Sequence, residues 1–269
     1  MGRTFEYPKT SLNTVNRRGH RGKYDLETIH TLINTSLVLN VSFAPGFDSN
    51  LDDFPVILPM IGAMGSFANP SAGLDEPLDC YLHGYVSSRL NNLVRKACEA
   101  GKPGLPLCLS ATKVDGLLLA LSGFNHSYDY RSVVLYGYAN IVTDPEEILY
   151  GMRIITDKVV RGRWENSRLP PTKADITSTG IVRVAIKTGS GKVKADPPGD
   201  DKADLEDGEM RQRVWAGFVP VTETLGEPVP AVYNRVNGIP TYISQHRQDV
   251  NEAVQTYSEE LVQKVLQAE

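Results

Sequence analysis

The sequence predicts a mainly β chain with flanking helices, folded as an antiparallel barrel or sandwich. Three observations carry this. Short apolar runs bounded by turn residues recur along the chain, few segments show helical spacing, and no strand–helix alternation of the kind a parallel sheet needs is present. The 269 residues suffice for a sizeable core, and no shift in composition or internal repeat divides the chain.

Residues 1–22 form a polar arm in which Arg17, Arg18 and Arg21 gather just before Lys23. In "YDLETIHTLINTS" that follows, Leu26, Ile29, Leu32 and Ile33 fall at helical spacing, with Asp25 placed to cap the first turn. "LVLNVSFAP", "FPVILPMIG" and "DCYLHGY" read as strands with turn residues between them. "LPLCLSATKVDGLLLAL" supplies one or two more around the turn signal Asp115-Gly116. The strand "YRSVVLYGYANIVT" ends at Asp144-Pro145, which opens the helical "PEEILYGMRIITDKVV". "GIVRVAIKTGSGKVKA" alternates Ile181, Arg183, Ala185 and Lys187 against Val182, Val184 and Ile186, and its pairing closes the sheet. Asp196 to Glu209 is acidic, contains Pro197-Pro198-Gly199 and reads as a solvated loop. Last, "VNEAVQTYSEELVQKVLQ" carries the stripe Val250, Val254, Tyr257, Leu261 and Val265, which docks on the barrel or on a partner subunit. The organisation expected is an arm (1–22), a barrel domain (23–235) and a helical extension (236–269).

A net charge of -4 argues against a nucleic-acid surface, because neutralising many phosphates takes a basic excess. The three cysteines include no C-x-x-C pair, so neither a disulfide framework nor a metal site is expected. The N-terminus lacks a signal-like apolar run, Glu6 stands where a myristoylation motif needs Ser or Thr, and no stretch is long and apolar enough to cross a membrane. A soluble cytoplasmic protein is expected, with the sequons at Asn34, Asn40 and Asn125 unmodified. "TGSGKVK" fails as a P-loop, since Ile186 stands where the first Gly belongs and Val193 where Ser or Thr must follow the Lys. Neither H-E-x-x-H nor G-x-S-x-G occurs.

Two stretches carry chemistry. In "YLHGYVSSRLNNLVRKA" a strand becomes a helix at Ser87, Ser88 and Arg89, so hydroxyls and a cation join the unpaired N–H groups of a helix N-terminus in a possible anion site. The alternative is a serine that only caps the helix and an arginine in water. In "NHSYDYRSVVLYGYA", Arg131 and Ser132 open an apolar strand beside Tyr128 and Tyr130, a set suited to a phosphate and a planar ring.

Together with the later "VWAGFVPV", these stretches resemble the FMN-binding split-barrel proteins related to pyridoxamine 5'-phosphate oxidase. More narrowly they resemble its flavin-nucleotide-binding branch, which includes nitroimidazole-resistance proteins. The resemblance spans roughly residues 15 to 235. It rests on "NRRGHRGKYDLETI", "PVILPM", His83-Gly84 with Arg89, Tyr130 to Val133, and Trp215, Gly217 and Pro220 in that order. The chain departs in having Ser88 where bacterial relatives have Gly, in "GAMGSFANPSAGLDEP", which looks like an insertion, and in its long C-terminal helix.

The resemblance implies a split barrel binding FMN in a groove between the subunits of a homodimer. Ser87, Ser88 and Arg89 would hold the phosphate, while Arg131 and Ser132, with Tyr130 of the same motif, would meet phosphate or ring. The backbone of Leu58, Pro59 and Met60 would lie along the isoalloxazine edge. Lys192 is a further cofactor-binding candidate, Trp215 would stack at the rim, and His83 would face the flavin, hydrogen-bonding ligand or transferring a proton as the candidate catalytic residue. The function implied is an FMN-dependent oxidoreductase acting on a small organic molecule. The alternative is a non-catalytic flavin- or haem-binding protein of the same fold. The additional substrate-phosphate residues of a true pyridoxamine phosphate oxidase are not located in the chain.

Overall fold

The computed structural model describes residues 5–45 and 54–267. The turn expected between the first two strands, the first four residues of the arm and the last two of the extension lie outside the described residues. The first helix, α1 (Leu26–Thr35), forms as its spacing predicts. Asp25 Oδ1 accepts from the Thr28 N–H at 2.9 Å, and Ile29 and Ile33 are fully buried. Strands β1 (Gly22–Lys23), β2 (Leu39–Phe43), β3 (Val56–Met60), β4 (Gly62–Gly65) and β5 (Asp79–Tyr85) precede helix α2 (Arg89–Glu99). Two strands of 15 residues follow, β6 (Leu105–Leu119) and β7 (Ser127–Ile141). After them come α3 (Pro145–Val159), α4 (Lys173–Ser178), β8 (Thr179–Lys194), α5 (Lys202–Glu206), α6 (Gly208–Arg213), β9 (Gly217–Pro220) and α7 (Thr241–Leu266).

The nine-stranded sheet runs β3-β2-β6-β7-β8-β5-β4, with β1 added to β8 and β9 to β6. Pairing is antiparallel, as in Val41↔Leu58 and Leu82↔Val182. The two outermost strands of this path, β3 and β4, are separated in sequence only by Ile61. The sheet thus curls back on itself along one run of chain without being closed by hydrogen bonds, which is the architecture of a split barrel. Its core gathers Ile29, Leu39, Val41, Leu109, Leu135 and Val184, each essentially without solvent exposure. Each such side chain contributes roughly 1.5–3 kcal/mol by leaving water. The chain divides into two compact units, Met1–Thr112 with Ser132–Lys192, and Lys113–Arg131 with Val193–Glu269.

Several elements differ from expectation. Asp115-Gly116 is not a hairpin turn, because β6 passes through it unbroken. The burial pattern switches there instead, from odd residues up to Asp115 to Gly116 and Leu118 beyond. A Cβ at Gly116 would lie 2.0 Å from the Phe218 ring, so the glycine is what lets β9 approach. The segment that looks inserted begins with β4, whose Ala63 pairs with Tyr81 of β5. Further along, its Leu74 packs on the core and accepts from His30 Nδ1 at 2.8 Å. The acidic stretch after Asp196 is not wholly loop, since α5 and the start of α6, Gly208 and Glu209, fall within it; Asp207 accepts from the Met210 N–H at 2.8 Å and caps α6. Helix α7 begins at Thr241, ahead of the stripe that predicts it.

Candidate functional site

In the first unit, the strand-to-helix junction is built as a helix N-terminus. Ser88 is the N-cap of α2, with Oγ accepting from the Asn91 N–H at 3.3 Å, and the Ser88 N–H donates to the Tyr85 carbonyl at 2.8 Å. The N–H groups of Arg89 and Leu90 have no acceptor within the helix. Asn91, buried beneath, donates through Nδ2 to the Tyr85 carbonyl at 2.8 Å and fits over Gly180, where a Cβ would meet that Nδ2 at 2.3 Å. Its Oδ1 is buried without a protein partner. Ser87 is exposed, and its carbonyl accepts from Asn92 Nδ2 at 3.0 Å. Arg89 Nη2 reaches across to the Pro45 carbonyl at 3.1 Å.

Gly84 joins this junction to β3. A Cβ there would stand 3.6 Å from Ser88 Oγ and 4.0 Å from Met60 Cε, ordinary contact distances that set Gly84 between the two. Leu58, Pro59 and Met60 pair with Val41, Asn40 and Leu39 of β2 on one side, and β3 ends the sheet path on the other. Pro59 and Ile57 face solvent. Pro45 also borders an apolar cavity of about 490 Å³ lined by Phe43, Pro55, Leu107, Cys108, Tyr136 and Lys187 among others. The structure thus brings Met60, Gly84 and Ser88 into contact range and connects Arg89, through Pro45, to the cavity wall.

His83 sits on β5 opposite Ile181 with its side chain at the surface. Partial desolvation by the surrounding protein lowers its pKa, which keeps the ring neutral near pH 7. His30 of α1, by contrast, is fully buried and has both ring nitrogens occupied, by Tyr7 Oη and the Leu74 carbonyl, each at 2.8 Å. Ser132 and Lys192 lie side by side, with Ser132 Oγ donating to the Lys192 carbonyl at 3.3 Å.

In the second unit, Arg131 is already engaged. Its Nε and Nη2 donate to the two oxygens of Asp115 at 2.9 and 2.7 Å, and its guanidinium lies 3.7 Å from the centroid of the Tyr257 ring of α7. This leaves the Nη1 edge for any other acceptor. Burial pushes the Tyr257 hydroxyl up to about 12. Close in sequence, Asp129 is fully buried and paired with Lys194 at 3.1 Å; desolvation raises its pKa, and its Oδ2 has no protein partner. Tyr130 is half-buried, whereas Trp215 is 65% exposed, with its ring lying over Gly217.

Sequence reasoning missed Asp115, Tyr257 and Asn91. Asp115 was hidden in a turn signal. Tyr257 carried only the stripe of a docking helix, with nothing to pair it with Arg131. Asn91 gave no signal, because its role depends on Gly180, which is remote in sequence. No metal-ligating cluster of His, Cys, Asp and Glu occurs among the described residues, and no helix among them is long and apolar enough to cross a membrane.

The barrel has solved counterparts. The flavocytochrome Anf3 from Azotobacter vinelandii superposes with a TM-score of 0.71 at 24% identity, covering 88% of this chain and 97% of that one. An FAD and heme binding protein from Mycobacterium smegmatis gives 0.65 at 24% identity, covering 84% and 97%. Both show a shared fold. A protein from Bacteroides thetaiotaomicron, named as a putative 5-nitroimidazole antibiotic resistance protein, matches at 16% identity over 61% of this chain and 81% of that one, with a TM-score of 0.44. No curated protein matches the chain. The profile of the pyridoxamine 5'-phosphate oxidase family matches residues 25–193, more than half of the 269, so the chain belongs to that family.

Proposed function

We propose that the protein binds a flavin, FMN by preference, and works as an FMN-dependent oxidoreductase on a small organic molecule, with the cofactor in a groove between the subunits of a homodimer. The observation that carries this reading is the proximity of Met60 on the edge strand β3, Gly84 and Ser88 at the N-terminus of α2. A flat ring needs an accessible strand edge whose N–H and C=O groups match its own donors and acceptors, and β3 presents one. A phosphate needs unpaired N–H groups, hydroxyls and a cation, and Ser87, Ser88, Arg89 and the first turn of α2 combine them. Bound there, a flavin supplies hydride or single-electron chemistry. The chain's own residues orient it, and His83, neutral and at the surface, is the residue assigned in this reading to accept or return a proton. In this reading Ser132 and Lys192 of the first unit also bind cofactor, and Tyr130, Arg131 and Trp215 of the second unit are cofactor-binding candidates by their motifs, Arg131 through its Nη1 edge.

Titration of the wild-type protein and of Arg89→Ala with FMN and with FAD tests the assignment. Charge-assisted hydrogen bonds are worth roughly 1.5–3 kcal/mol, so the variant should bind FMN more than tenfold more weakly. Equal affinity in the two proteins would return Arg89 to a cation bonded to Pro45 and in water.

A second reading is favoured by His83 and by the two counterparts named as haem proteins. In it the same fold is a non-catalytic flavin- or haem-binding protein, in which a histidine such as His83, with its neutral imidazole, would hold a haem iron. A Soret band abolished by His83→Ala would support it.

A further inference from the structure

Helix α3 presents a second, separate pocket. Glu146, Leu149, Tyr150 and Arg153 recur at the i, i+3, i+4, i+7 spacing of one helix face, and they face the segment that carries Trp164, Leu169, Pro170 and Pro171. Between them lies a cavity of about 420 Å³, within the range of small-molecule sites and sharing no lining residue with the cavity at Pro45.

The pocket is preformed. The Trp164 backbone N–H donates to Asp157 Oδ1 of α3 at 2.8 Å, which fastens the outer wall to that helix, and the Trp164 carbonyl accepts from the Ser167 N–H at 3.1 Å, which turns the wall segment on itself. The floor is equally fixed. Tyr150 is buried, packed edge-on against Tyr81 at 5.4 Å and tilted against Phe67 at 5.8 Å. Leu149 and Leu169 nevertheless remain more than a third exposed, so the apolar walls are only partly covered by this chain.

Polar groups sit at the two ends. Glu146 and Arg153 are two helical turns apart, about 10 Å along the axis. The Arg153 guanidinium lies 5.8 Å from the Tyr150 ring centroid and has no ion-pair partner among the described residues. A guanidinium within cation–π range of an aromatic ring that keeps its donor fork open is suited to a carboxylate. The walls of Trp164, Pro170 and Pro171 suit a flat ring, and Glu146 suits a donor at the ring's far end.

We propose that this pocket binds an aromatic carboxylate bearing an N–H or O–H group remote from its acid, with the carboxylate on Arg153, the ring against Trp164 and the two prolines, and the donor toward Glu146. Calorimetric titration of the purified full-length protein with indole-3-acetate and with its neutral isostere indole-3-acetamide tests this. The acid should bind more than tenfold more tightly than the amide, Arg153→Gln should erase that preference, and Trp164→Leu should weaken both ligands. Arg153→Lys keeps the charge and loses the fork, so it should retain part of the preference even if the glutamine variant folds poorly. Failure of indole-3-acetate to bind at millimolar concentration, equal binding of acid and amide, or a preference undiminished in both Arg153 variants would overturn the proposal.

Discussion

At the scale of the single residue, His30 shows how burial fixes a protonation state. The Leu74 carbonyl can only accept, so Nδ1 carries the proton and Nε2 takes the Tyr7 hydroxyl as a donor. A second proton would have to enter a site buried from solvent, and desolvation lowers the His30 pKa from its ordinary 6.5. Below about pH 6.5 the unfolded chain therefore binds a proton that the folded chain refuses. His30 contributes its full stability above that pH. The contribution declines as pH falls toward the folded-state pKa, with a slope of up to about 1.4 kcal/mol per pH unit, and levels off beneath it. Asp79 and Asp129, whose pKa values are raised by burial, work in the opposite direction, so the effect must be read as a difference. Urea unfolding at a series of pH values between 5 and 7.5 should show His30→Gln less stable than wild type at the upper end, by roughly 1–3 kcal/mol, and flatter below 6.5. Parallel curves for the two proteins would show that His30 is not the titrating group.

At the scale of the element, α7 is held by the bonds of Arg247 and Asn251 to the Leu225 segment, by buried Leu261 and by one cation–π contact that can be removed singly. The stripe Val250, Val254, Tyr257, Leu261 and Val265 faces inward as its spacing predicts, yet only Leu261 is fully buried. The Tyr257 ring on Arg131, itself held bidentately by Asp115, adds what cation–π contacts supply, roughly 0.5–2 kcal/mol. Tyr257→Ala should therefore raise the rate of limited tryptic cleavage at Arg247 and Lys264 by at least severalfold, while Tyr257→Phe, which keeps the ring, should stay close to wild type. Cleavage at one rate in all three proteins would mean the helix is held by other contacts. The helix was legible because amphipathic spacing is local. Its anchor was not, because a contact between residues 131 and 257 leaves no mark on either stretch alone. The same distinction explains β6, where Asp115-Gly116 has the chemistry of a turn but serves a change of facing opposite Phe218. It explains α5 and α6 as well, whose acidic composition concealed Asp207 as a cap.

At the scale of the molecule, the order of motifs along the chain carried more than any one of them. "PVILPM", His83-Gly84 with Arg89, and Tyr130 to Val133 are each short and unspecific, yet together they led to the split barrel that the sheet path and the family match bear out. What the order could not supply is which side chains remain free. Asp115 takes two of Arg131's donors, Pro45 takes one of Arg89's, and Ser88 is both a cap and a candidate ligand. The central claim is that the site from β3 to α2 holds a flavin. It is tested most directly by the absorption spectrum of the purified protein, followed by heat release of the ligand and its identification by mass. The account predicts a yellow protein that releases FMN. A colourless protein that also fails to take up added FMN or FAD would contradict it, leaving a barrel that keeps the fold of its family without the cofactor.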